Sequence, residues 1–150
     1  MIRRATAEDA EHVGRLLDEF NSEYEDHTPG AAALAGHARS LLEAGEITVL
    51  LAGDGPDGFS LLRFHRSIYN GEPDAYVQEL YVVPGRRGQG VGRALLEASM
   101  TAAREAGATH IELTTSEDDT EALSLYESSG FTNREGTPDG PRMLYYEREL

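Results

Sequence analysis

The run Leu80-Tyr81-Val82-Val83-Pro84-Gly85-Arg86-Arg87-Gly88-Gln89-Gly90-Val91-Gly92-Arg93-Ala94-Leu95-Leu96 constrains this chain more than any other. The residues from about 75 to 83 predict a strand that Pro84 closes. Val91, Leu95, Ala98, Ala102 and Ala106 then recur at helical spacing until Gly107 ends the helix. Between strand and helix, Gly88, Gly90 and Gly92 occupy alternate positions, so backbone N–H groups can turn toward one point with no Cβ in the way. At the N-terminus of a helix those donors add to the positive end of its dipole, and the result is an anion cradle. The charge distribution agrees. The chain has 27 acidic residues against 13 basic ones, a net charge of −14, yet residues 84–96 hold three Arg and no acid.

Two common phosphate sites fail here. A P-loop needs a Lys after its last glycine, and every basic residue of this chain is Arg. A dinucleotide fingerprint needs a glycine three positions after Gly90, where Arg93 stands, and a long run of further strands, of which only two are predicted. Glu112 imitates the ribose-binding acid in spacing but falls in mid-strand. The absence of Cys and Lys removes disulfides, thiolate metal sites, a Cys nucleophile and a Schiff-base lysine together. His12, His27, His37, His65 and His110 show no ligand spacing, so no metal site is expected. The acid excess argues against nucleic acid and anionic membrane as partners and suits cationic ones. The longest apolar stretch, residues 47–52, is far short of the roughly 20 residues that span a bilayer. No apolar segment follows Arg3 and Arg4, so a cytoplasmic protein is the expectation.

The 150 residues are read as one domain, 1–150. A brief strand is predicted over 2–5. Thr6 and Asp9 make a weak capping box ahead of Ala10, Val13, Leu16, Leu17 and Phe20, which share a helical face. Leu34, Ala38, Leu41 and Leu42 repeat the pattern up to Gly45. Strands are expected over 47–52 and 59–66 around a Gly-rich turn, then over 75–83 and 110–115. Asp118-Asp119-Thr120 caps a helix to Ser128 with Gly130 as its left-handed exit, and a final strand is expected over 142–148, a further short strand after Phe131 being left open. The order β-α-α-β-β-β-α-β-α-β is a mixed sheet flanked by helices, an α+β fold.

With these elements in place, the glycine run resembles the acetyl-CoA-binding motif of the GNAT superfamily of N-acyltransferases. The family pattern Arg/Gln-x-x-Gly-x-Gly/Ala falls on Arg87, Gly90 and Gly92, and Ala122-Leu123-Ser124-Leu125-Tyr126-Glu127-Ser128-Ser129-Gly130-Phe131 resembles its second signature. The resemblance implies a mostly antiparallel central sheet whose central parallel strands splay apart to admit the coenzyme. It implies that backbone groups of Leu80, Tyr81 and Val82 pair with the pantetheine arm and acetyl carbonyl. The amides of Gly88, Gln89, Gly90, Val91, Gly92 and Arg93 would hold the pyrophosphate, with Arg86, Arg87 or Arg93 reaching the other phosphates. Tyr126 corresponds to the tyrosine that protonates the departing thiolate. Asp119 stands where the family often has a coenzyme-binding Asn, and helix capping is its alternative role. Thr114 replaces the Glu of members that acetylate ribosomal protein N-termini.

An alkylammonium must lose a proton before it can attack, at a cost of about 4 kcal/mol near neutral pH. Glu79 is the candidate base, and strict alternation places it on the face of Val77 and Tyr81, opposite Leu80 and Val82. Glu112 is the reserve. The expected activity is acetyl transfer from acetyl-CoA, without a metal, to an amine by direct attack. The alternatives are a non-catalytic acyl-CoA sensor and a peptide or protein N-acetyltransferase. The resemblance implies an acceptor pocket shaped by the loop after the first helix, the second helix and the last hairpin, and the first of these carries Phe20, Tyr24 and Glu25 among Asp18, Glu19, Glu23 and Asp26 with no basic residue. A small cationic amine is the expected acceptor. Dimers are common in the family, so a homodimer is an open expectation.

Overall fold

Thr48-Val49-Leu50-Leu51-Ala52 is apolar on both of its alternating faces, which suits a strand buried on two sides. In the computed structural model, which describes residues 1–150, it is strand β2, buried throughout. Val49 and Leu51 enter one hydrophobic cluster and Leu50 and Ala52 another. The sheet runs in the order β1 (Ile2–Arg4), β2 (Thr48–Ala52), β3 (Gly58–Arg66), β4 (Pro73–Val82), β5 (Ile111–Leu113). The first four strands pair antiparallel and β5 pairs parallel to β4. This is the mixed, mostly antiparallel α+β arrangement. The chain divides into two compact units, Met1–Leu113 and Thr114–Leu150.

In the first unit, helices α1 (Ala10–Glu23) and α2 (Ala31–Glu43) cover one face of the sheet. There Val13, Leu16 and Ala38 pack with Val49, Leu51, Phe59 and Tyr81. A Cβ on Gly14 would stand 2.5 Å from the Ala31 carbonyl oxygen and 2.6 Å from the Ala35 nitrogen, so glycine is what lets the two helices touch. Helix α3 (Val91–Glu105) covers the other face through Leu95, Val91, Ala98 and Ala102. The buried Ser60 and Ser99 hydroxyls, 2.7 Å apart, tie β3 to this helix. Asp9, in the 3-10 turn before α1, accepts two bonds from the Arg3 guanidinium and one from the Thr6 N–H. Those donors, the Arg3 bond foremost, hold its carboxyl down at about 2.

The register of β3 on β4 breaks once. Leu61 faces Glu79 but Leu62 faces Val77, which leaves Gln78 as an extra residue on β4. Such a bulge shifts the alternation by one. Val77 joins the α3-side cluster with Leu62, whereas Tyr81 joins the α1-side cluster with Leu61. Alternation had put Val77, Glu79 and Tyr81 on one face. The bulge corrects this, with Val77 on the α3 side and Glu79 beside Tyr81 on the α1 side. Pairing with β5 ends at Val77–Leu113, so beyond it β4 is paired only with β3.

The second unit holds α4 (Thr120–Ser128), capped by Asp119 and left through Gly130 at φ 92°. Neither strand expected after it forms. The two passes meet in a single bridge, Arg134–Arg142, flanked by the bonds Glu135 N–H to Pro141 carbonyl and Met143 N–H to Asn133 carbonyl. Pro138 and Pro141 lack the N–H groups a longer ladder would need. No residue from 114 to 150 is fully buried.

Gly14→Ala is expected to destabilise the protein by about 1–3 kcal/mol, the usual cost of overpacking against rigid neighbours. Chemical denaturation at fixed pH measures it, and a loss below a few tenths would mean α1 and α2 separate freely.

Candidate active site

Gly88 and Gly90 adopt φ 74° and 83°, in the left-handed region that disfavours any side chain, and Gly90 is the N-cap of α3. A Cβ at either would meet nothing within 4 Å. Backbone conformation, not crowding, therefore requires glycine, and the space above the loop is open to a ligand. The first turn of α3 carries no acid, and the leading N–H groups of a helix lack acceptors within it. The loop thus fits a phosphate group in both shape and charge.

The arginines around this loop do other work. Arg87 donates from Nε to the Val82 carbonyl at 2.9 Å, and its Nη2 lies 2.8 Å from the Glu23 carboxylate. Its guanidinium also sits over the Tyr81 ring, 5.6 Å from the centroid. The Tyr81 hydroxyl donates to the same carboxylate at 3.0 Å. Phe20 stacks on Tyr81 with ring centroids 4.9 Å apart, and Tyr24 meets Phe20 edge-on. Burial first, then Glu23, pushes the Tyr81 hydroxyl up to about 12, so it stays a donor. Arg86 pairs with Asp57 at 3.6 Å. The side chain of Arg87, expected on a coenzyme phosphate, instead fastens the start of the cradle to the end of α1. Nothing in the sequence signals a pairing across so many residues.

Glu79 is half-buried on the α1 face of β4. Burial, with the negative charge of Asp26 adding to it, pushes its carboxyl up to about 6. A carboxylate near that value is ionised at neutral pH and still basic enough to take a proton, the balance a general base needs. The segment that brings Asp26 there turns at Glu25, whose φ of 57° is the one positive value outside glycine. Thr28 donates to Asp18 at 2.6 Å and holds the far side of the turn. Phe20, Tyr24, Glu25 and Asp26 thus belong to one aromatic and acidic segment of the first unit.

The other candidates are placed separately. Glu112 lies mid-strand on β5, exposed and 3.3 Å from His110. In the second unit Asp119 accepts from the Ala122 N–H at 3.1 Å, the capping role. Tyr126 is half-buried, its ring 6.1 Å from that of Phe131. His12 and His37 are exposed, and no group of three or more His, Asp or Glu is poised for a metal ion. No helix is long and apolar enough to cross a membrane.

This geometry belongs with known proteins. The acetyltransferase (GNAT) family matches residues 13–131, a span that runs through both units. The chain belongs to that family and is an acyltransferase. It is 31% identical over 117 residues to the aminoglycoside N(6')-acetyltransferase type 1 of Stenotrophomonas maltophilia, covering 75% of this chain and 72% of that enzyme. A 63-residue stretch is 41% identical to mycothiol acetyltransferase of Beutenbergia cavernae, covering 40% of this chain but only 21% of that enzyme. Among solved structures, a protein of Arthrobacter sp. FB24 classed with the acetyltransferases superposes with a TM-score of 0.91 at 44% identity, over 100% of this chain and 96% of that one.

Gly90→Val is expected to cost about 1–2 kcal/mol in backbone strain and to leave a folded protein. Acetyl-CoA, as a ligand of the folded state, is expected to raise the melting temperature of the unaltered protein, and the substitution is expected to abolish that shift. A shift that survives the substitution removes the phosphate assignment.

Proposed function

We propose that the two units form one N-acetyltransferase domain that moves the acetyl group of acetyl-CoA to the amine of a small cationic acceptor. The observation that carries this reading is the open loop before α3, with Gly88 and Gly90 at positive φ and Gly90 as the N-cap, on the same unit as the half-buried Glu79 carboxyl on the α1 face of β4. Acetyl-CoA, when bound, supplies an activated thioester. The amides of Gly88, Gln89, Gly90, Val91, Gly92 and Arg93 are the groups that would hold its pyrophosphate. Leu80, Tyr81 and Val82, on the part of β4 that β5 leaves open, would pair with its arm. Glu79 takes the proton from the ammonium, directly or through water, so that the neutral amine attacks. Tyr126 hands a proton to the departing thiolate. Phe20, Tyr24 and Glu25 receive the acceptor, whose positive charge matches Asp26 and the carboxylates around it. The similarity to an aminoglycoside acetyltransferase over most of both chains supports a polyamine-like or amino-sugar acceptor. A net charge of −14 favours a cationic acceptor and disfavours nucleic acid and anionic membrane. Direct attack by a neutral amine on a thioester requires no metal.

Acetyl-CoA turnover, followed as free thiol across a panel of amines, tests the reading. Polyamines and amino sugars should turn over fastest. A panel on which only neutral amines or peptides react would overturn the acceptor class, and no turnover on any amine would overturn the activity.

With Glu79 as the base, kcat/KM should fall below about pH 6, where its carboxyl takes up a proton. Glu79→Gln should instead give a rate that falls steadily with pH across the whole range below the amine's own pKa. The rate loss should be large near pH 7 and shrink toward pH 9.5, where the amine is closer to neutral. The sign for stability is opposite. A carboxyl whose folded value lies above its unfolded one stabilises least once it is charged, and that loss accrues as pH rises from about 4.5 to about 6. Glu79→Gln should therefore be no less stable than the unaltered enzyme at pH 7.5. An equal rate loss at all pH values, with a lowered melting point, would give Glu79 a structural role instead.

Tyr126→Phe should slow transfer by at most about 10²-fold, the low end of general acid–base effects, because a thiolate is already a tolerable leaving group. Turnover and acetyl-CoA affinity measured on one preparation check this. Unchanged turnover at saturating amine would remove Tyr126 from the mechanism.

A further inference from the structure

One carboxylate stands where three parts of the first unit meet. Glu23 is the last residue of α1, and the last turn of that helix carries no basic residue. An acid there faces the negative end of the helix dipole, so the helix itself gains nothing from it. Asp18, Glu19, Glu25 and Asp26 lie in the same stretch and add like charge. The compensating contacts come from β4 and the loop after it. Both Glu23 carboxylate oxygens lie 2.8 Å from the Arg87 Nη2, and one of them also accepts from the Tyr81 hydroxyl at 3.0 Å.

The guanidinium is committed on its other side as well. Its Nε donates to the Val82 carbonyl at 2.9 Å. The Val83 N–H donates to the Asp57 carbonyl just before β3, so the backbone polar groups of Val82 face the opposite way. That is the edge of β4 left open once pairing with β5 ends at Val77. One planar head therefore spans from an open-edge carbonyl to the end of α1. Gly88, the next residue, turns at φ 74° and begins the loop, so where Arg87 is held decides where the loop starts.

We propose that Glu23 is a positioning residue for acetyl transfer that acts through Arg87. By holding the guanidinium it sets the cradle at a fixed place relative to the open edge of β4, so that one coenzyme reaches both. The inference rests on the reading of that loop and edge as the acetyl-CoA site. The pyrophosphate and the arm belong to one molecule, and a loop already in register with the edge loses less freedom when both are bound. A lysine could not replace Arg87, because a single ammonium lacks the planar fork that serves a carbonyl and a carboxylate together.

Calorimetric titration with acetyl-CoA of the unaltered chain, Glu23→Gln, Arg87→Lys and the double variant tests this. Glu23→Gln keeps the side chain's shape and an acceptor for Tyr81 but removes the charge. It should weaken binding about tenfold, the scale of coupling within one ion-pair network. Arg87→Lys should cost a similar factor, and the double variant should be no weaker than either single one, since all three break the same link. In turnover, Glu23→Gln should raise the KM for acetyl-CoA more than it lowers kcat. The fall of kcat/KM below about pH 6 should stay in place, because Glu79 is untouched. Unchanged or tighter binding by Glu23→Gln, with or without a lowered melting point, would overturn the proposal. So would losses that add in the double variant, which would mean that Arg87 acts on the coenzyme independently of Glu23. Absence of binding to the unaltered chain would instead overturn the acetyl-CoA reading itself, and this inference with it.

Discussion

The extra residue at Gln78 is the constraint on which the site depends. Without the bulge, Val77 and Tyr81 would share a face, and one of them would lose its cluster. With it, the first half of β4 matches the α3 side while Glu79 and Tyr81 turn toward α1. Glu79 thereby enters the field of Asp26, and Tyr81 reaches Glu23. The bulge also falls where pairing with β5 ends, so the strand changes its face and loses a neighbour within two residues. Bulges are known to gather beside active sites, where they re-aim a side chain or end a ladder. Here one does both.

Electrostatics divides the labour. In the proposed site, phosphate binding would be left to backbone amides, which carry no charge for the surrounding acids to neutralise, while Arg86 and Arg87 pair with Asp57 and Glu23. The Arg87–Glu23 contact, with the Tyr81 hydroxyl on the same carboxylate, joins the start of the cradle to the end of α1. A coenzyme held by the cradle and an acceptor held beyond α1 would then share one strut. Arg suits that task because its planar head can serve a carbonyl, a carboxylate and a ring face at once.

The glycine cradle, the helices and the antiparallel strands were legible in the sequence because each is a local pattern: turn glycines, a period of 3.6, an alternation of two. Glu79 and Tyr126 were singled out as candidates through chemistry and motif. What the sequence hid depends on partners far along the chain. Nothing near Gln78 announces a bulge, since the misalignment arises only when β3 is laid beside β4. Nothing near Arg87 points to Glu23. The strand expected over 142–148 failed for the same reason. Its pattern describes what the segment would do beside a neighbour, and its own unit supplies only the stretch around Arg134.

We propose that the amides of the loop before α3 and the free part of β4 hold acetyl-CoA. Hydrogen exchange with and without acetyl-CoA tests it most directly. Slowed exchange confined to residues 88–93 and 79–82 is the predicted result. Slowed exchange elsewhere, with these two segments unchanged at saturating acetyl-CoA, would contradict it.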